Sequence, residues 1–259
     1  MHPNPSVNAL VTGASRKVGI GAAIARELAR RGVHVFLAYY RPYDRESGLA
    51  GDPAEPSQLL DELRGLGVRA DGLEADLADP RTPARLMEAA ESALGAVSIL
   101  VNNAAYSMRD GIDALTADLL DRTYAVNLRG MALLCAEFVR RFKRYQPPLA
   151  SGRIINLTSG QSLGPMPGEL AYVATKGAVE AFTLSLSAEL APLGITVNAV
   201  DPGITDTGWI NPALRAEWEA RAPMRRLGTP EDAARLVGFL ASPEAGWITG
   251  QVIHSRGGL

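Results

Sequence analysis

Tyr172 and Lys176 stand four residues apart in the run YVATK, a spacing that puts both side chains on one face of a helix. With 7 Tyr and three Lys among 259 residues, the chance expectation for this pairing is only about 0.08. A phenol beside an ammonium can pass a proton to or from a reacting oxygen, because the cation favours phenolate and draws the phenol toward neutral pH. Lysine is also an unusual choice in a chain with 23 Arg. Its compact ammonium suits a tight site better than a planar guanidinium does. The structural alternative is a snorkelling Lys beside a packed Tyr. Thirteen residues before Tyr172, Thr158 and Ser159 end the apolar run RIINLTS and offer hydroxyls at the close of a predicted strand.

A second candidate is the glycine-rich stretch TGASRKVGIG, Thr12 to Gly21. Five residues separate Gly13 from Gly19, whereas the common dinucleotide fingerprint is G-x-G-x-x-G. Glycine permits close backbone approach to a pyrophosphate, but it also serves any turn that needs positive φ. The elements on either side favour the phosphate reading. VNALVT (7–12) reads as a strand and GAAIARELARR (21–31) as a helix, so the loop opens a helix N-terminus, where anions are favoured.

Similar units fill the chain. Strands are predicted at 33–40, 68–74, 98–103, 153–159, 195–200 and in QVIHS, and helices near 57–66, 80–94, 116–144, 169–191, 212–221 and 230–241. Continuous apolar strands alternating with amphipathic helices predict a single-domain, doubly wound Rossmann fold: a mostly seven-stranded parallel sheet with helices on both faces. The polar, Pro- and Gly-bearing stretch 41–57 reads as a long surface loop.

Composition narrows the field of functions. Apolar residues make up 47% and charged residues 21%, with a net charge of -2, so no basic excess points to nucleic acid or an anionic membrane. No apolar run approaches the roughly 20 residues of a membrane span. The stretch MHPNPSVNALVTG lacks the pattern of a signal peptide. The single cysteine, Cys135, cannot form an internal disulfide, which fits a reducing cytoplasm. His2, His34 and His254 are scattered without metal-ligand spacing. His34 and His254 fall in predicted strands, where partly buried packing is the expectation.

Taken together, the motifs resemble those of the short-chain dehydrogenase/reductase family nearly end to end. TGASRKVGIG resembles the family's cofactor loop, and Asp76 in EADLADP its acidic contact to adenine. VNNAA (101–105) resembles its NNAG segment, with Ala105 in place of glycine. Asn127, Ser159, Tyr172 and Lys176 match the catalytic four, and DPGITDT (201–207) the segment beside the nicotinamide. The resemblance implies a nicotinamide cofactor held by Gly13, Ser15, Arg16, Lys17, Gly19, Ile20, Gly21, Tyr40, Arg41, Asp76, Leu77, Asn103, Ala104, Pro202, Gly203, Thr205 and Thr207, with Tyr172 and Lys176. It further implies hydride transfer between nicotinamide and a carbonyl or alcohol carbon, with Tyr172 as general acid. Lys176 would bind the ribose hydroxyls, Ser159 the carbonyl oxygen, and Asn127 a proton-relaying water.

Two departures matter. The loop has two more residues than the family's usual T-G-x-x-x-G-x-G, which resembles the divergent enoyl-thioester reductases of the same superfamily. Those enzymes carry Tyr and Lys seven apart, and position 179 here is Val, so the reacting groups favour carbonyl chemistry. The second strand ends AYYRPYD, with Tyr40 and Arg41 where an NAD-binding carboxylate would stand. NADP(H) over NAD(H) is therefore expected, with Arg16, Lys17 and Arg41 around the 2′-phosphate; Asp44 could fold back as a diol ligand.

The expected activity is a ketoreductase similar to 3-oxoacyl-thioester (acyl-carrier-protein) reductases, acting on a small carbonyl or alcohol substrate, thioester-linked compounds included. Alternatives are a catalytically silent dinucleotide-binding regulator, or a reductase of another small carbonyl or an enoyl thioester. Gln161, Met166, Glu169 and Trp209 are expected to line the substrate pocket, with a substrate-binding segment at about 204–226. Family likeness also implies a homotetramer built on 116–144, 169–191 and QVIHSRGGL.

Overall fold

A computed structural model describes residues 7–258; His2 and the rest of the N-terminal six residues, and Leu259, lie outside that range. Seven strands, β1 (Asn8–Thr12), β2 (His34–Tyr39), β3 (Ala70–Glu74), β4 (Ile99–Asn102), β5 (Gly152–Leu157), β6 (Ile195–Asp201) and β7 (Val252–His254), form one parallel sheet in the order β3-β2-β1-β4-β5-β6-β7. Alternate residues along each strand feed opposite cores, as a pleated strand must. Ala9, Val11, Val35 and Leu37 face a core with α1 (Ile20–Arg30), α3 (Glu55–Gly65) and α9 (Pro230–Leu240). Leu10, Phe36 and Leu100 face the other, with α4 (Thr82–Leu94), α6 (Met131–Phe142) and α7 (Leu170–Leu190). The doubly wound fold expected from the alternating pattern is the one observed.

Strand order reverses between β1 and β4, so the loops that leave their carboxyl ends diverge and open a crevice. Thr12 and Asn103 tie those loops together. The Thr12 hydroxyl accepts the Asn103 and Ala104 N–H groups at 3.0 Å each, and the Asn103 amide donates to the Thr12 and Gly13 carbonyls at 2.9 and 3.0 Å.

Two local expectations change. The stretch 41–57 is not one open loop: α2 (Arg41–Glu46) forms at once after β2, and α3 begins at Glu55. Pro42 and Pro56 sit in the first turns of these helices, where proline's missing N–H costs nothing. The predicted helix 116–144 is α5 (Ala117–Tyr124) and α6 joined by a π-helical segment, Ala125–Gly130. Gly130 lets that segment press on the loop after β3, since a Cβ there would lie 3.0 Å from the Leu77 Cβ. α8 (Pro212–Arg221) lies within the segment that follows β6.

Candidate active site and nucleotide cavity

The candidate catalytic residues gather at the carboxyl end of β5. Tyr172 is the third residue of α7 and Lys176 lies one turn further on. The Lys176 ammonium is 5.5 Å from the centre of the Tyr172 ring and donates to the Leu157 carbonyl at 2.6 Å. Only 3% of Lys176 is exposed, and burial pushes its pKa down to about 8. Burial likewise drives the Tyr172 phenol above its ordinary value, which a hydrogen bond with Ser159 partly offsets. Glu169, Tyr43 and Asp201 act in the raising direction. Burial is the first cause of both shifts and favours the neutral form of each group, so the expected pull of the Lys176 cation on the phenol toward neutral pH is not what the structure shows.

Asn127 occupies the π-helical segment. Its Oδ1 accepts the Tyr106 N–H at 2.6 Å, and its Nδ2 donates to the Tyr106 carbonyl at 2.9 Å and the Thr175 hydroxyl at 3.0 Å. Thr175 in turn donates to the Tyr172 carbonyl at 2.8 Å. Asn127 thus fastens the loop after β4 to the helix that carries Tyr172 and Lys176. π-segments of this kind recur at functional positions.

A cavity of about 230 Å³ opens from the crevice between β1 and β4. Gly13, Ser15, Arg16, Gly19, Ile20, Tyr40, Asp76, Leu77, Asn103, Ala104 and Thr207 of the expected set line it. Gly13 has φ +73°, and a Cβ there would come within 2.7 Å of the Ala104 Cα. A Cβ on Gly21 would meet the Gly13 carbonyl and stand 2.7 Å from the Asn103 amide nitrogen. Two glycines so confined, one after β1 and one in the first turn of α1, let the loop pack closely against the loop after β4 and bring it to a helix N-terminus, where an anion is favoured. The residues present therefore fit a dinucleotide.

The two extra loop residues form a turn closed by the Gly19 N–H on the Arg16 carbonyl at 3.0 Å. Its outer edge is anchored to α3: the Lys17 N–H donates to Glu55 at 2.6 Å, and the Lys17 carbonyl accepts from Arg26, which pairs with Glu62 at 2.9 Å. Consequently, the expected basic trio does not assemble. Arg16 enters the cavity, donating to the Thr207 carbonyl at 2.8 Å with Asp44 at 3.5 Å. Lys17 turns toward Gln58, 3.5 Å away, and the Arg41 guanidinium is taken by the Asp52 and Gly51 carbonyls. Neither is among the cavity-lining residues.

Tyr43, Tyr106 and Arg122 line the cavity although sequence reasoning gives them no role, and Asp44, weighed there only as a diol ligand, lines it too. Arg122 donates to Asp76 at 3.1 Å and lies 6.0 Å and 5.6 Å from the ring centres of Tyr40 and Tyr106. Asp44, raised by burial, bonds to Ser15 beside Arg16. Only the spacing of Arg122 from Asn127 on one predicted helix could have pointed to it. Tyr43 left no signal, because 41–57 reads as open loop.

Pro202, Gly203 and Thr205 follow β6, where the Thr205 hydroxyl donates to the Pro202 carbonyl at 3.0 Å and Gly203 has φ +66°. Of the expected substrate residues, Met166 places its sulfur 4.0 Å from the Ser159 hydroxyl. Glu169 precedes α7, and burial raises its pKa. Trp209 donates to the Thr205 carbonyl at 3.2 Å and packs edge-on against Trp218. Gln161 instead gives its amide to Glu180 at 2.6 Å. His34 and His254 lie in β2 and β7, the latter 2.9 Å from Asp201.

Comparison with known proteins agrees with this geometry. The family model described as "Enoyl-(Acyl carrier protein) reductase" matches residues 13–259. The chain is 52% identical to "Uncharacterized oxidoreductase YjdA" of Bacillus subtilis, over 96% of this chain and 95% of that one. It is 35% identical to "3-oxoacyl-[acyl-carrier-protein] reductase FabG" of Staphylococcus aureus, over 97% of both. A short chain dehydrogenase from Burkholderia cenocepacia, solved in complex with NADP, superposes with a TM-score of 0.85 at 33% identity, covering 97% of both chains. The chain belongs to the short-chain dehydrogenase/reductase family and is an oxidoreductase.

Proposed function

We propose that this protein is an NADP(H)-dependent ketoreductase that acts on 3-oxoacyl thioesters or close analogues. The observation that carries the reading is the pairing of Tyr172 with a buried Lys176 and with Ser159, at the same carboxyl end of the sheet as the glycine-walled cavity, although none of the three lines that cavity. When bound, the cofactor supplies or accepts a hydride at its nicotinamide ring. The remaining work belongs to the chain. Ser159 donates to the substrate's carbonyl oxygen and fixes its place beside Tyr172, and Tyr172 gives that oxygen a proton as charge develops on it. Lys176 faces the phenol from one turn away and binds the ribose hydroxyls. Asn127 holds the surrounding backbone and a water that resupplies Lys176.

NADP(H) is the preferred cofactor. Arg16 and Arg122 are the basic groups that line the cavity, and the Burkholderia neighbour is an NADP complex. Asp44 is engaged by Ser15 and Arg16 and so is not free to take a ribose diol. The cofactor set also includes Pro202, Gly203 and Thr205, and segment 204–226 with Met166, Glu169 and Trp209 encloses the substrate. We further infer a cytoplasmic homotetramer; among the described residues no helix is long and apolar enough to cross a membrane.

The enoyl-reductase reading has one supporting observation, the longer glycine loop, which the matching family model's description echoes. Incubation with NADPH and either acetoacetyl or crotonyl thioester separates the two. NADPH oxidation with acetoacetyl thioester, yielding the 3-hydroxy product, is expected. Oxidation with crotonyl thioester alone would reverse the assignment, and none with any carbonyl compound would favour a silent regulator.

A further inference from the structure

The catalytic helix has no cap of its own. Glu169 precedes α7 and makes no side-chain capping hydrogen bond. The first N–H groups of a helix have no partner within it and need one from elsewhere. Here the partner comes from a loop some sixty residues earlier in the chain. The two carboxylate oxygens of Asp110 accept the N–H of Leu170 at 2.6 Å and of Ala171 at 2.8 Å. These are the first two residues of α7, and Tyr172 is the next.

Two further contacts close the clamp. The Asp110 N–H donates to the Gly168 carbonyl at 2.9 Å, and Arg109 lies 4.0 Å from Glu169. Gly168, at φ +80°, turns the chain so that this carbonyl faces Asp110; a Cβ there would lie 3.2 Å from the Asp110 carbonyl. At its other end the same loop is gripped by Asn127 through Tyr106. The loop after β4 is therefore pinned twice to the helix bearing Tyr172 and Lys176, once on either side of the phenol.

We propose that Asp110 is a positioning residue, whose carboxylate caps α7 from the loop after β4 and sets the placement of Tyr172 against Ser159. The energetic case is direct. A carboxylate on two helix-initial N–H groups forms charge-assisted bonds and favours the positive end of the helix dipole. Without it the first turn of α7 frays, and Tyr172 is in that turn. A reacting group displaced by about 1 Å can lose on the order of a hundredfold in rate. The glycine-walled end of the cavity does not touch Asp110, so cofactor affinity should not follow.

This role rests on the ketoreductase reading for its rate effect but not for its structural effect, and the test keeps the two apart. Asp110→Ala and Asp110→Asn are compared with wild type by amide exchange at Leu170 and Ala171. Carbon-labelled tyrosine NMR follows the Tyr172 titration, fluorescence gives NADPH affinity, and acetoacetyl thioester turnover gives kcat. In the alanine variant the two amides should exchange at least about tenfold faster, as an uncapped first turn implies, and the Tyr172 resonance should titrate at lower pH as water reaches it. There, kcat should fall about 10- to 100-fold with NADPH affinity within about twofold. Asparagine keeps one acceptor oxygen for two N–H groups and no charge, so it should restore only part of each loss and fall between wild type and the alanine variant. Unchanged exchange in the alanine variant, an unmoved Tyr172 titration, or equal loss of NADPH affinity and kcat would overturn the role. A wild type that reduces no carbonyl compound would sink the ketoreductase reading alone, because exchange and titration still report on Asp110.

Discussion

Lys176 gives the site a measurable pH dependence. The chain holds only three lysines, and neither Lys17 nor Lys143 is buried. Burial lowers Lys176 from 10.5 to about 8, so between those values the unfolded chain carries a proton that the folded one does not. Stability must then rise with pH through this window, because the state that binds more protons loses ground as they become scarce. Integrating the two titrations from pH 8 to about pH 10 gives a gain of about 2 kcal/mol. Other tyrosines raised by burial, such as Tyr43, work oppositely near and above their ordinary range, so wild type alone does not isolate the effect.

Lys176→Met isolates it. Methionine keeps the aliphatic stem and removes the charge, and replacing a buried ion with an apolar group is often neutral or stabilising. Urea unfolding of the cofactor-free protein, in steps from pH 8 upward, yields the stability of each form. The variant should be the more stable at pH 8, and the gap should shrink by about 2 kcal/mol toward pH 10. Parallel curves would show that Lys176 titrates normally, and the account of its burial would fail. The expected cost below pH 8 also explains why a folded protein would keep such a residue only for its chemistry.

Three other outcomes follow from the geometry. Tyr172→Phe should lower kcat by ~10²–10⁴, the range for a lost general acid, while NADPH affinity measured by fluorescence stays nearly intact; retained turnover would remove Tyr172 from that role. Arg16→Ala should raise the Kd for NADPH about tenfold, the equivalent of one charge-assisted bond near 1.4 kcal/mol. Arg41→Ala should change it much less, since that guanidinium is spent on the Gly51 and Asp52 carbonyls; titration of both variants with NADPH and NADH decides, and the reverse ranking would refute the placement. Gly13→Ala forces φ +73° on an L-residue and drives a Cβ to 2.7 Å from Ala104, so thermal unfolding should show a loss of at least about 1 kcal/mol together with weakened cofactor binding.

Much of this was legible in the sequence because the signals are local and periodic. The YVATK spacing placed Tyr172 and Lys176 on one helical face, and strand–loop–helix order located the glycine loop, both independently of tertiary detail. What escaped depended on long-range partners. Arg41 and Lys17 read as free cations, yet loop carbonyls accept from the Arg41 guanidinium and the Lys17 ammonium turns toward Gln58. The π-helical turn at Asn127 leaves no mark on the hydrophobic pattern, because a single inserted residue shifts the period too little to detect. Asp110 is an ordinary loop acid until the fold brings it to Leu170 and Ala171.

A buried cation is not by itself a sign of function, and this protein holds a control. Arg153, at the opposite end of β5 from the reacting groups, is 6% exposed and also pairs with no carboxylate among the described residues. Its guanidinium donates to the Gly152 carbonyl at 2.9 Å and toward the Ser242 carbonyl at 3.4 Å, just past the end of α9. Arginine holds its proton in proteins, so Arg153 bonds carbonyls between β5 and the turn after α9 and exchanges no proton with them. Lys176 differs in what surrounds it. It shares its burial with a phenol shifted the other way and with a hydroxyl bonded to that phenol. Lysine can also lose its proton near neutral pH where arginine cannot. Of the two buried cations, Lys176 has a phenol and a hydroxyl beside it with which a proton can be exchanged, and Arg153 has carbonyls alone. That difference supports the proposal that the chemistry lies at the carboxyl end of the sheet.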